Sequence, residues 1–191
     1  MNFKEAISKY QPINKQEISD KKIILEYISL FYDNILTRDN QIVHMTSSGL
    51  ILNKSLDKIL MIHHNIYNTW TWTGGHADGD SNMLKVAIKE AKEETGISKV
   101  TPLINDIVSI DIIPVYGHVK RGNYVSSHLH MNVSYALLAD ESEELVVNEE
   151  ETSNVGWIKV NSLDKYSSEP YLIEIYNKIV RRARELNSIK K

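Results

Sequence analysis

Cysteine is missing altogether from this chain of 191 residues, which excludes disulfides, thiolate metal sites and cysteine nucleophiles together and suits a reducing cytoplasm. A surplus of positive charge is missing too. Lys and Arg number 22 against 25 Asp and Glu, for a formal net charge of -3, so no general positive field exists to hold a polynucleotide backbone. No apolar run approaches membrane-spanning length, and the opening MNFKEAISKY has no apolar core of the signal-peptide kind. Internal repeats, low-complexity tracts and flexible interdomain linkers are lacking as well. These absences lead to the expectation of a soluble, cytoplasmic protein that binds neither membrane nor nucleic-acid polymer.

What is present is an ordinary globular balance, 42% hydrophobic and 25% charged residues, in a length that suits one compact domain. From Gln16 to Leu36 the residues Ile18, Ile23, Ile24, Leu25, Ile28, Leu30 and Phe31 recur at roughly helical spacing. Residues 1–40 therefore read as a helical lead-in closed by Asp39-Asn40, with the domain proper over 41–191. Ile42 to Leu52 and Lys58 to His64 read as a hairpin across the polar stretch Asn53 to Asp57. Trp70 to Thr73 is a further short strand. Asn82 to Thr95 carries Leu84, Ala87, Ile88, Ala91 and Thr95 on one stripe, with Asp80 or Ser81 as N-cap and Gly96 as the stop. Ile104 to Val115, His128 to Leu138 and Asn154 to Val160 read as strands, and Glu169-Pro170 opens a helix to about Leu186. The order is that of an α+β fold.

The stretch that carries chemistry is GGHADGDSNMLKVAIKEAKEETGI, from Gly74 to Ile97. At 100° per residue Glu90, Glu93 and Glu94 fall together beside the apolar stripe. Like charges at these spacings cost about 0.2–0.5 kcal/mol per pair. The C-terminal end of the helix dipole disfavours each anion by a further 0.3–1 kcal/mol or so. A hard divalent cation removes the conflict, since magnesium takes carboxylate, water and phosphate oxygens in an octahedron. The plain alternative is a solvated acidic face partly neutralised by Lys89, which reaches Glu93. The loop in front weighs against it, because Gly74, Gly75 and Gly79 allow a tight turn and close backbone approach to a metal or phosphate.

Here the chain resembles the Nudix hydrolase family, whose signature is G-x5-E-x7-R-E-U-x-E-E-x-G-U with U aliphatic. Gly75, Glu90, Glu93, Glu94, Gly96 and Ile97 fall in register. Ser81 stands in place of the family's first glutamate and Lys89 in place of its arginine, and lysine lacks the planar fork of arginine. The GGHADGD phrase is similar to one branch of the family. In that branch a strand like His44-Met45-Thr46 precedes the box and a strand like His128-Leu129-His130 follows it. The resemblance covers roughly His44 to Leu163 and implies an α/β/α sandwich on a mixed sheet, with the box helix packed on it.

What the resemblance implies about function is metal-dependent hydrolysis of a phosphoanhydride in a small nucleoside-diphosphate-linked molecule, with Mg²⁺, or Mn²⁺ in its place, as cofactor. Glu93 and Glu94 are then the main ligands, Glu90 a further ligand or water-orienting base, and the Gly75 carbonyl part of the shell. Lys89 would hold Glu90. Glu151, six residues before Trp157, stands like a distal glutamate of many members and is a further ligand or base, or else a solvated loop carboxylate. His128 and His130 alternate onto one strand face that Asn132 continues, and are candidates for substrate contact or for structural histidines. Of Trp70 and Trp72, the second is assigned to base stacking, with core packing the alternative for at least one of the pair. Lys120 and Arg121, in a loop ending Gly122-Asn123, are assigned to a distal phosphate. Arg181, Arg182 and Arg184 read as a solvated helix face. A homodimer is the assembly the resemblance allows. A diphosphate isomerase on the same fold fails for want of cysteine, and a non-catalytic nucleotide-binding module is the remaining rival.

Overall fold

A computed structural model of the chain describes residues 2–66, 68–120, 122–150 and 152–189, with the side chain of Lys120 left out. Helices α1 (Phe3–Lys9) and α2 (Lys15–Leu30) open the chain, and each begins on an asparagine whose side chain takes a backbone N–H, Asn2 from Lys4 and Asn14 from Glu17. Strands β1 (Val43–Leu52), β2 (Lys58–His64), β3 (Thr69–Thr71) and β4 (Thr73–His76) lead into helix α3 (Met83–Thr95). Then come β5 (Thr101–Pro102), β6 (Ser109–Val115), β7 (His118–Lys120), β8 (Asn123–Val125), β9 (His128–Leu138) and β10 (Thr152–Lys159). The short α4 (Leu163–Tyr166) and the long α5 (Pro170–Ile189) close the chain.

Among the described residues eight strands form one mixed sheet with a central order β10-β2-β1-β9-β5. The β1–β9 pair is parallel, while β1 pairs β2 and β4, and β9 pairs β6, antiparallel. Side chains alternate across a strand, so β1 feeds two cores. Val43, Met45 and Ile51 join Ile7, Ile24, Ile28, Ala87 and Ala91 on the side of the first three helices. Leu50 and Leu52 join Ile175, Tyr176, Ile179 and Ala183 of α5 on the other. Helices therefore cover both faces, as an α/β/α sandwich requires. Among the described residues no helix is long and apolar enough to cross a membrane.

Edge strand β6 would expose a row of unpaired backbone groups, and the lead-in covers it. Asp20 accepts from the Ile112 N–H, while Gln16 and Tyr10 donate to the carbonyls of Ile110 and Val108. The same edge gathers a buried ion cluster, in which Lys178 Nζ lies 2.7 Å from Asp111 and 3.0 Å from Glu17. Arg182 reaches back to donate to the Tyr10 hydroxyl, its guanidinium 4.8 Å from the ring centre.

Several expectations change in detail. The lead-in is two helices, and the second stops at Leu30 rather than running to Leu36. Of its apolar set Ile24 and Ile28, four apart, are fully buried, whereas Ile18, Ile23, Leu30 and Phe31 face outward. The strand expected from Ile104 begins only at Ser109, where pairing with β9 starts. The loop expected around Lys120 is the β7–β8 hairpin. Arg182 and Arg184 are not merely solvated, since Arg184 donates to the Leu56 carbonyl as Arg182 does to the lead-in.

Candidate functional site

Helix α3 starts at Asn82, one residue beyond the expected cap. The Asn82 side chain accepts from the Lys85 N–H at 3.1 Å, while Asp80 accepts from the Asn82 N–H and pairs with Lys85. Gly96 closes the helix at a φ of 75°, a left-handed conformation that suits glycine. The small Ala87 and Ala91 let α3 lie close on the sheet: the Ala87 carbonyl stands 3.4 Å from where a Cβ on Gly49 would be. Met83, Val86, Ala87, Ala91 and Thr95 are buried, and so is Glu94. The three glutamates thus do not share one environment.

Glu94 points inward and accepts from the Gly74 N–H at 2.9 Å. Glu90 lies against the next residue. A Cβ placed on Gly75 would come within 2.5 Å of the Glu90 carboxyl carbon and 2.8 Å of both its oxygens, so a side chain there would push the Glu90 carboxylate out of its present place against the backbone. Glu93 faces solvent with 53% of its side chain exposed. Lys89 Nζ sits 3.0 Å from Glu93 and 3.1 Å from Glu90, and the hydrogen bond to Glu93, then that to Glu90, pushes its pKa up to about 12. One ammonium is shared between two carboxylates, with no fork to orient either.

The other face of the same strands is built differently. His44, Thr46 and Ser48 on β1, His76 on β4, and His128, His130 and Asn132 on β9 are brought side by side by the registers Thr46↔His76, His44↔His130 and Thr46↔Asn132. Asn132 accepts from Thr46 and Ser48, each at 2.9 Å, and donates to Ser134. The four imidazoles pack with ring centres 4.9–5.1 Å apart in each pairing of His44 with the other three. Burial, then the neighbouring rings, pushes the His130 pKa down to about 2, and burial lowers that of His44.

His128, His130 and His44 stand out in the sequence, but nothing there joins them to His76. Alternation in each strand was legible, whereas the parallel β1–β9 register that aligns them was not. Trp72 is corrected as a stacking residue: it is 8% exposed and packs edge-on against Tyr176 in the core, 5.2 Å between ring centres. Trp70 is the half-exposed one of the pair and contacts His63 and Tyr166. Arg121, Glu151 and the side chain of Lys120 lie outside the described residues. Ser81 is exposed and does not cap the helix.

The NUDIX domain model matches residues 43–181. The chain is 25% identical over 114 residues to the uncharacterized Nudix hydrolase YvcI of Bacillus subtilis (strain 168), a match covering 60% of this chain and 66% of that protein, just under two thirds of its length. Its fold is similar to that of a C. elegans Ap4A hydrolase in a binary complex, with a TM-score of 0.51 at 16% identity over 75% of this chain and 97% of that one. It is likewise similar to the E. coli dihydroneopterin triphosphate pyrophosphohydrolase, with a TM-score of 0.52 at 13% identity, covering 71% and 94%. The domain match takes in the glycine turn, the glutamate helix and the whole sheet that carries them, and by it the chain belongs to the Nudix hydrolase family.

Proposed function

We propose that this protein is a divalent-metal-dependent pyrophosphohydrolase that cleaves a phosphoanhydride in a small nucleoside-diphosphate-linked substrate. The observation that carries the reading is the pairing of two adjacent backbone positions with two carboxylates: Gly74 N–H with Glu94, and Gly75 with the carboxylate of Glu90. A helix kept for stability gains nothing from a deeply buried glutamate beside two more. The donors suit Mg²⁺ or Mn²⁺, being carboxylate oxygens with a backbone carbonyl at Gly75.

In this reading Glu93 and Glu94 are the main ligands and Glu90 a ligand or the group that orients the attacking water. A cation bound there supplies neutralisation of the substrate's phosphate oxygens and makes a bound water more acidic. The chain's own part is positioning. The Gly74 N–H fixes one oxygen of Glu94, Gly75 leaves Glu90 its space, and Lys89 restrains Glu90 and Glu93 from the solvent side. No covalent nucleophile is needed, in keeping with a chain that has no cysteine. Glu151 is assigned as a distal ligand or base, and Lys120 and Arg121 as phosphate contacts. A homodimer is the assembly we assign.

The test is phosphate release over a panel of ADP-ribose, dinucleotide polyphosphates, nucleotide sugars and oxidised nucleoside triphosphates, with and without Mg²⁺. Dinucleotide polyphosphates are tested first, because the fold is similar to that of an Ap4A hydrolase. Metal-dependent turnover of a free nucleotide supports the proposal. Tight nucleotide binding with no turnover under any metal favours the non-catalytic module instead, and efficient decapping of long RNA without turnover of free nucleotides would overturn the substrate class.

A further inference from the structure

The four histidines behind the glycine turn are surplus to the chemistry assigned to the glutamates. One ligand nitrogen from each of His44, His76, His128 and His130 can be chosen so that all lie within 4.8 Å of one another. His44 is buried and the others are partly so. The group holds no carboxylate and no thiolate.

Its hydrogen bonds fix which nitrogens face inward. His44 Nδ1 lies 2.9 Å from the Asn40 carbonyl and His128 Nδ1 lies 2.8 Å from the Ser126 carbonyl. A carbonyl only accepts, so both Nδ1 atoms carry a proton, and in the neutral imidazole, the form that binds metal, each Nε2 then presents its lone pair. This is the arrangement in which an outer carbonyl orients a metal-binding imidazole. His128 Nε2 stands 3.1 Å from His130 Nε2. With Zn–N bonds of 2.0–2.1 Å, two nitrogens of a tetrahedral site stand about 3.3–3.4 Å apart. That pair is near ligand spacing already, and each of the other two rings offers a nitrogen within 4.8 Å.

His44 Nε2 is the second observation. It is buried and has no hydrogen-bond partner, and a buried polar atom left unpaired costs on the order of 1–3 kcal/mol. Three other imidazoles crowd the same ring within 5.1 Å. A cation that bonds to neutral nitrogen satisfies the orphaned atom and gives the cluster a reason to exist.

We propose that His44, His76, His128 and His130 form a second metal site, on the sheet face opposite the glutamates, that takes a nitrogen-preferring dication of the Zn²⁺ type. Neutral imidazole suits zinc, cobalt, nickel and copper, whereas magnesium and calcium prefer oxygen. The two sites therefore select different ions although Gly75 and His76 are neighbours in the chain. A cation here ties β1, β4 and β9 together at the residue that follows the glycine turn. The inference does not depend on the activity proposed above.

The experiment uses the whole chain, stripped with chelator and titrated with Co²⁺ alone. Nitrogen-bound tetrahedral Co²⁺ absorbs in the visible, which reports this site without any assay of turnover. The wild type is expected to bind one equivalent with visible bands that stoichiometric Zn²⁺ removes and excess Mg²⁺ does not. The bands should persist in the triple variant Glu90→Gln/Glu93→Gln/Glu94→Gln. They should weaken by at least about tenfold in affinity in His128→Gln/His130→Gln, with circular dichroism confirming that variant folded. His44→Gln, scored separately, should do the same. Absence of bands and of Zn²⁺ uptake in the wild type overturns the proposal whatever the variants do, as does binding that survives loss of the histidines and disappears with the glutamates.

Discussion

Two clusters of mixed charge differ in how deeply their ammonium is buried. On α3 Lys89 serves Glu90 and Glu93 with its side chain 57% exposed. Where α5 meets the lead-in, Lys178 serves Asp111 and Glu17 with all three side chains no more than 5% exposed. The stoichiometry is the same, one ammonium to two carboxylates, but the physics differs. In the buried cluster the charges have nowhere else to go, and Gln16 adds a further acceptor to Lys178 at 3.0 Å. On α3 water screens the excess negative charge, a third glutamate adds to it, and the arrangement stays open to a cation. The first arrangement fixes how α2, β6 and α5 meet, whereas the second keeps negative charge available.

The sharpest way to break this comparison is to remove each cluster's centre. Lys178→Met leaves two buried carboxylates without their cation and should cost about 3–5 kcal/mol of stability near neutral pH, read as a drop in the urea midpoint. The loss should depend on pH in a defined direction. Burial already raises the Asp111 pKa above its ordinary 3.8, with Lys178 opposing that rise. A raised carboxylate pKa means the folded state takes up the proton more readily than the unfolded chain. Its contribution to stability is therefore complete below 3.8 and is lost as pH rises. Without Lys178 the rise is larger, so the variant's deficit should grow from acid pH toward neutrality. A deficit that shrinks over that range sinks the account of the cluster.

On α3 the corresponding change acts on rate. Glu94→Gln keeps the shape and should cost at least about a hundredfold in magnesium-dependent turnover, near 2.7 kcal/mol of barrier. Near-normal turnover with magnesium present would remove Glu94 from the ligand set. Glu94 is buried, so an unfolding midpoint measured in parallel separates loss of chemistry from loss of fold.

The two clusters were unequally legible in the sequence. The α3 glutamates could be found because a helix has a fixed angle per residue and because the glycine turn is contiguous with it. That they divide into two inward-facing residues and one outward-facing residue depends on where β4 passes, which local spacing does not encode. Glu17, Asp111 and Lys178 are far apart in the chain, and nothing local marks them as partners. The strand from His128 to Leu138 was readable to the residue, since both its faces are filled by the sandwich. Trp72 was misplaced because a tryptophan beside a glycine loop reads the same whether it faces a ligand or Tyr176.

A smaller effect tests whether Lys89 is a makeshift. One ammonium divided between Glu90 and Glu93 restrains neither as firmly as a two-pronged guanidinium would. Lys89→Arg should then raise kcat several-fold, about 1 kcal/mol of barrier, while metal affinity stays nearly level. A fall in kcat would mean that the shared ammonium is tuned to this site.

The smallest effect concerns a charge that belongs to neither cluster. Just past the end of α3, Glu143 accepts from the Ser98 N–H at 2.9 Å, the Ser98 hydroxyl at 2.8 Å and the Lys99 N–H at 3.1 Å. These bonds, the Ser98 hydroxyl first, hold its pKa below the ordinary 4.5. A lowered carboxylate pKa contributes stability that is present above 4.5 and is lost as pH falls through the folded value. Glu143→Gln keeps an acceptor oxygen but loses the charge that strengthens all three bonds. Its melting temperature should therefore lie slightly below the wild type's at neutral pH and converge on it as pH falls below 4.5 and through the folded value, where the wild-type carboxylate is protonated in the folded state too. The site is open to solvent on one side, so salt should shrink the neutral-pH gap as well. A gap that stays constant down to about pH 3 would show that Glu143 acts through shape and not through its charge.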